Sequence, residues 1–155
     1  MANVKNKSLV HFHFQDVATN LRARRKLKEF LVLLFQNEKK NLGELNYIFC
    51  TDKFLLNINR EYLMRDYYTD VISFDLSNSP KEIIGEIYIS IPRVKQNAQY
   101  FKQRGSTELL RVMFHGALHL CGYNDKTLRQ QSEMKKKEEN YLHLFFSRVP
   151  RRTVS

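Results

Sequence analysis

Leu9-Val10-His11-Phe12-His13-Phe14 alternates along the chain, which predicts a strand with Phe12 and Phe14 on one face and His11 and His13 on the other. The rhythm then lengthens to that of a helix. Leu27, Phe30, Leu31, Leu34 and Phe35 make one apolar stripe of a helix reaching to about Asn37, with Asp16 or Thr19 as candidate N-cap. Gly43 is expected to end that region. Leu45 to Cys50 reads as a second strand, and Asp52 to about Leu63 has the spacing of a short helix. Val71 to Phe74 and Ile84 to Ser90 predict two more strands, joined by a turn containing Asn78, Ser79 and Pro80.

Pro92 suits the first turn of a helix running to about Gln103, and Gly105 separates it from a helix that Ser106 or Thr107 can cap. That helix is apolar nearly all round from Leu109 to Cys121, the mark of a buried element. Thr127 can cap a last helix to about Phe146, with Met134, Tyr141, Leu142 and Phe145 turned inward, Lys135 to Lys137 in solvent and His143 at the surface or core edge. Arg151 to Ser155 reads as a frayed tail. The expected fold is α+β, a single domain over residues 1–155 with about a four-stranded mixed sheet packed with helices.

The buried helix carries an anomaly. His115 and His119 are four residues apart, hence about 40° apart around a helix, and can grip one metal ion. Taken singly, each His would be a hydrogen-bonded core residue, but an apolar helix ordinarily avoids two imidazoles, and burying each without a partner costs about 1–3 kcal/mol. Gly116 between them costs about 1 kcal/mol relative to Ala in a helix interior. Its expected role is to let a backbone or a substrate approach between the two rings. Asp125 is too far along to share the His face of a continuing helix, but Gly122 can end the helix and turn the chain back. Two His and a carboxylate, with a fourth position for water, compose a catalytic rather than a closed metal site at the end of a buried helix. The Glu of His-Glu-x-x-His zinc peptidases is absent, since Gly116 stands there.

The run His115-Gly116-Ala117-Leu118-His119-Leu120-Cys121-Gly122-Tyr123-Asn124-Asp125 resembles the YbeY-family signature His-Gly-x-Leu-His-Leu-x-Gly-Tyr-Asp-His. Further blocks are similar in the same order: Asn59-Arg60-Glu61-Tyr62 with Thr69-Asp70-Val71-Ile72-Ser73-Phe74, then Gly85-Glu86-Ile87-Tyr88-Ile89-Ser90, then Glu108-Leu109. The resemblance implies a metal-dependent endoribonuclease acting on single-stranded RNA in ribosomal RNA maturation, at the 3′ end of the small-subunit RNA, and in ribosome quality control. It also implies one divalent ion, zinc first, held by His115, His119 and the residue at 125, with the ribosome or its assembly factors as partners.

Two positions depart from the family pattern. Asp125 stands where the family has His, which lowers the net charge of a zinc site from +2 to +1 and makes harder divalent ions more competitive. Leu63 stands where the family has its active-site arginine and cannot donate to phosphate. Arg60 and Arg65 are the nearby candidates for that role, with His115 and His119 as the other catalytic residues.

Composition agrees with this picture. At 155 residues and 43% hydrophobic content, with 11 Phe and 8 Tyr, the chain has ample material for one core. Its net charge of +10 favours a polyanionic partner, and RNA is the natural candidate. Basic residues cluster at 22–28, 93–104, 135–137 and 148–152. Cys50 and Cys121 read as buried thiols, not a disulfide framework. Residues 1–7 show no apolar leader and no run reaches the roughly 20 apolar residues of a membrane span, so no membrane partner and a cytoplasmic location are expected. Two alternatives stay open at this point: a metal-dependent hydrolase of another substrate, and a non-catalytic ribosome-associated RNA-binding protein.

Overall fold

In the computed structural model of the protein, residues 8–150 are described. Residues 1–7 and the expected frayed tail at 151–155 lie outside them. Four strands form one mixed sheet in the order β1-β2-β4-β3. β1 (Val10–Phe14) and β2 (Leu42–Cys50) run parallel, as do β2 and β4 (Ile83–Ser90), while β3 (Val71–Asp75) lies antiparallel on β4. Five helices pack on it among the described residues: α1 (Arg24–Asn37), α2 (Asp52–Leu63), α3 (Ile91–Tyr100), α4 (Gly105–Leu120) and α5 (Leu128–Arg148). None of them is long and apolar enough to cross a membrane.

Strand alternation sorts the side chains into two cores. Leu45, Tyr47, Phe49, Ile87 and Ile89 belong to the larger one, which they share with the apolar faces of α1, α3, α4 and α5. Cys50, Ile72, Phe74 and Tyr88 point the other way and meet Phe54, Leu55 and Ile58 of α2. The predicted α1 stripe is buried residue for residue. Both cysteines are free and buried. Inside the larger core the fully buried Tyr47 hydroxyl donates to the Met113 carbonyl (2.7 Å), so its polar tip is satisfied.

Several local expectations are corrected. α1 begins only at Arg24, after an uncapped Ala23 at φ 52°, and neither Asp16 nor Thr19 caps it. Asp16 itself sits at φ 57° just beyond the end of β1, a conformation Asp tolerates better than most residues. Gly43 does not end a region but lies inside β2, at a register shift between Leu42 and Glu44. α4 starts at Gly105 without a side-chain cap, which places Ser106 and Thr107 within its first turn, Thr107 buried. Lys137 leaves solvent in part to pair with Glu38 (3.1 Å).

Gly116 is the most informative correction. A Cβ there would lie 2.8 Å from Ile87 Cγ2 and 3.1 Å from Ser73 Oγ, so it is the sheet that approaches, not a ligand between the imidazoles. Ser73 Oγ donates to the Gly116 carbonyl (3.0 Å) across this contact. Gly116→Ala should gain about 1 kcal/mol of helix propensity and lose about 1–3 kcal/mol to overpacking. We expect a net loss of up to about 2 kcal/mol, read as a lower urea midpoint at unchanged slope. A variant as stable as the wild type would show that Ile87 yields without cost.

Candidate metal centre

The site is assembled where α4 stops. Gly122 takes φ 107°, its N–H bonds to the His119 carbonyl (3.0 Å), and the Tyr123 N–H bonds to the Leu118 carbonyl (3.1 Å). Those two bonds are a Schellman termination, which needs a left-handed residue and so favours Gly. The reversed chain puts the Tyr123 carbonyl 2.9 Å from His119 Nδ1 and returns Asp125 to the two rings. On its far side the loop is held by α5. Thr127 and Gln130 form a capping box, and Gln131 Nε2 donates to the Asp125 carbonyl (3.1 Å).

Three ligand atoms converge as expected for His115, His119 and Asp125. His115 Nε2 and His119 Nε2 are 3.1 Å apart, and Asp125 Oδ2 lies 3.3 Å and 3.2 Å from them. The second nitrogen of each ring sets the tautomer. A carbonyl only accepts, so His119 Nδ1 must carry a proton; His115 Nδ1 likewise donates to Glu138 Oε2 at 2.5 Å. With both rings neutral, their Nε2 lone pairs face each other and a carboxylate, an arrangement that a cation at its centre satisfies. Tetrahedral zinc bonded at about 2.0–2.1 Å separates its ligands by about 3.3–3.4 Å, close to the spacings seen. The donor set therefore fits a divalent ion.

Glu138 is the partner that sequence reading missed. It is buried on α5, and Arg111 Nη1 reaches its other oxygen (3.4 Å) while Nη2 pairs with Glu139 (2.7 Å). The signal was present: Glu138 falls four residues after Met134 and three and four before Tyr141 and Leu142, on the apolar stripe. Glu108 joins the cluster with Oε1 3.4 Å from Arg111 Nε, within ion-pair range but without hydrogen-bond geometry, and burial pushes its carboxyl up. Burial works against a charged His115. The Glu138 hydrogen bond and the charges of Glu138, Asp125 and Asp70 outweigh it, so the ring titrates above the usual imidazole value. Asp70 is raised chiefly by burial, and accepts from Asn97 Nδ2 (3.1 Å).

His115, His119 and Asp125 open onto a cavity of about 480 Å³ whose walls include Leu63, Arg65, Asp70, Asn124 and Lys126. Arg65 is thus brought to the site. Arg60 is not on these walls; its Nε pairs with Asp66 (2.5 Å) at the surface. Leu63 contributes an apolar wall. His115 and Asp125 also face a second cavity of about 600 Å³ bordered by Phe101, Arg111 and Glu138. His11, His13 and His143 stay apart from the centre, and His13 Nε2 instead meets Asn46 (2.8 Å).

An open two-His, one-carboxylate centre at the end of a buried helix defines the class of a catalytic-type metal site on an α+β scaffold. Residues 10–145 match the family described as Endoribonuclease YbeY, and the chain belongs to that family. The Endoribonuclease YbeY of Cytophaga hutchinsonii is 45% identical over 135 residues, which span 87% of this chain and 94% of that relative. Its counterpart from Flavobacterium psychrophilum is 54% identical over 109 residues, 70% of this chain and 77% of the other. Among solved structures, TM1509 from Thermotoga maritima superposes with a TM-score of 0.61 at 26% identity, covering 89% of this chain and 91% of that one.

Two outcomes follow from the network behind the ligands. Glu138→Ala frees His115 Nδ1 and should weaken metal affinity about 10- to 100-fold in a chromophoric chelator competition, with Glu138→Gln, which keeps an acceptor, losing less. Unchanged affinity in both would show that Glu138 does not orient the ring. Glu38 supports His119 more remotely, accepting from the hydroxyls of Tyr123 (2.7 Å) and Tyr141 and from Lys137 (3.1 Å). Burial raises this carboxyl, but those three donors outweigh it and hold it below its ordinary 4.5. A carboxyl so depressed contributes stability above its unfolded value and loses it as pH falls through the folded one. Glu38→Gln should therefore be less stable than wild type at about pH 6, with the difference in Tm shrinking toward about pH 3. A difference constant over that range would contradict the assignment.

Proposed function

We propose that the protein is a metal-dependent endoribonuclease that cuts single-stranded RNA during ribosomal RNA maturation. The observation that carries this reading is the convergence of three acceptor atoms at the wall of a cavity that also holds Arg65 and Lys126. His115, His119 and Asp125 would hold a divalent cation, which would supply Lewis acidity that makes a water more acidic and offsets negative charge on phosphate oxygens. The ligands' two imidazoles suit zinc, and the carboxylate raises the standing of harder ions.

The chain's own groups do the rest. Glu138 and the Tyr123 carbonyl hold the Nδ1 protons, so both Nε2 atoms stay available and oriented. Arg65 takes the phosphate contact that Leu63 cannot make, its guanidinium fork matching phosphate oxygens. Arg60 pairs with Asp66 at the surface, next to the segment that carries Arg65. The excess of basic residues draws an RNA strand toward the cavity, in the cytoplasm and in association with the ribosome.

The test is cleavage of an end-labelled single-stranded RNA by wild type, by chelator-treated wild type and by His119→Ala and Asp125→Ala proteins. Cleavage by the untreated wild type alone, with metal content falling in both variants, is the expected result. No cleavage by fully metal-loaded wild type would overturn the nuclease reading, and full metal content in Asp125→Ala would remove Asp125 from the ligand set.

A further inference from the structure

Among the described residues, eight large hydrophobic side chains are exposed, and four of them, Tyr62, Met64, Tyr67 and Tyr68, fall within residues 62–68. That stretch ends α2 and leads into β3, beside the candidate metal centre. Its backbone is held. The buried Asn59 donates through Nδ2 to the Tyr67 carbonyl (2.9 Å) and accepts from the Arg65 N–H through its own carbonyl (3.2 Å). An anchored segment that keeps aromatic rings in water forgoes the gain of burying them, which asks for a use.

The three tyrosines are not equivalent. Tyr62 packs edge-on against Phe74, with ring centroids 6.1 Å apart. Tyr68 lies beneath the Arg93 guanidinium, 5.1 Å from its ring, and Arg93 is held by Asp52 (2.7 Å). Tyr67 makes no side-chain hydrogen bond, ring contact or cation–π contact with any described residue, is 53% exposed, and lines the same cavity as His115, His119, Asp125 and Arg65. A half-exposed aromatic ring on an anchored backbone thus lines one cavity with Arg65 and the candidate metal ligands.

We propose that Tyr67 is the stacking platform for one unpaired nucleobase of the RNA, the base next to the phosphate that Arg65 contacts. This deepens the nuclease reading and rests on it. Stacking of splayed bases on aromatic side chains is the common way proteins hold single-stranded RNA, and it tolerates any base because every base has a π face. A cavity of about 480 Å³ is within the range of sites that take a nucleotide-sized ligand. Paired bases in a duplex cannot reach such a ring without flipping out. Tyr67 therefore selects single strands over duplex by geometry, without reading sequence.

The experiment uses short single-stranded RNAs, 2′-O-methylated throughout to resist cleavage, with 2-aminopurine placed at successive positions. Wild type should quench 2-aminopurine fluorescence at one position, and Tyr67→Phe should keep both the quench and the affinity. Tyr67→Ala and Tyr67→Leu should lose the quench and weaken binding about 5- to 150-fold. Tyr100→Ala, which removes an exposed ring away from this cavity, should bind as wild type. Thermal melts of each variant report that the fold is retained. Wild-type binding and quench in Tyr67→Ala would overturn the stacking role while the nuclease reading stands, and loss in Tyr67→Phe would point to the hydroxyl instead of the ring and overturn it too. Failure of the wild type to bind any single strand would bring down the stacking role, and absence of RNA cleavage by the same metal-loaded wild type would bring down the nuclease reading itself.

Discussion

The meeting of Asp125 with the two imidazoles depends on the left-handed turn at Gly122. Had α4 continued, Asp125 would sit about 240° round the helix from His119 and could not share a ligand position with it. The positive φ closes two backbone bonds, ends the helix and reverses the chain within three residues. The same reversal aims the Tyr123 carbonyl at His119 Nδ1, so helix termination, the His119 tautomer and the approach of Asp125 to the two rings have one cause. The two sides of the turn are rigid for different reasons: α4 is buried in the larger core, and α5 is locked at its start by the Thr127–Gln130 capping box.

The charge gathered at the candidate centre is opposite in sign to the net charge of the chain. Glu108, Glu138, Asp70 and Asp125 gather around two imidazoles and Arg111, a cluster that would be costly to bury without mutual pairing. It prefers a cation at the three converging acceptors. The chain as a whole carries a surplus of Lys and Arg that brings it to +10 and favours a polyanion. An acidic pocket within a basic protein suits a metal ion below and a phosphate backbone above.

Much of the fold was legible because its signals are local. Strand alternation and the helical stripe of α1 follow from side-chain periods of 2.0 and 3.6, and both appeared in the structure where the pattern put them. Helix starts were read less well. Asp16, Thr19, Ser106 and Thr107 are good capping residues by type, yet α1 and α4 begin without a side-chain cap, because packing of their apolar faces outweighs the contribution of about 1 kcal/mol from a cap. Glu138 was overlooked for the opposite reason. One carboxylate on an apolar stripe looks like noise until the element it packs against proves to carry His115.

The sequence by itself determined that His115 and His119 share a helix face and that Gly122 can break that helix, since both follow from backbone geometry over a few residues. Tertiary structure alone decided that Asp125 closes the triangle, that Glu138 and Arg111 stand behind His115, and that Gly116 serves the contact with Ile87 and Ser73. It also separated Arg65, on the cavity wall, from Arg60, held at the surface by Asp66. These outcomes depend on how α2, β3, β4, α4 and α5 pack together. Contacts between segments far apart in the chain are set by the summed burial of all of them, which no local spacing encodes.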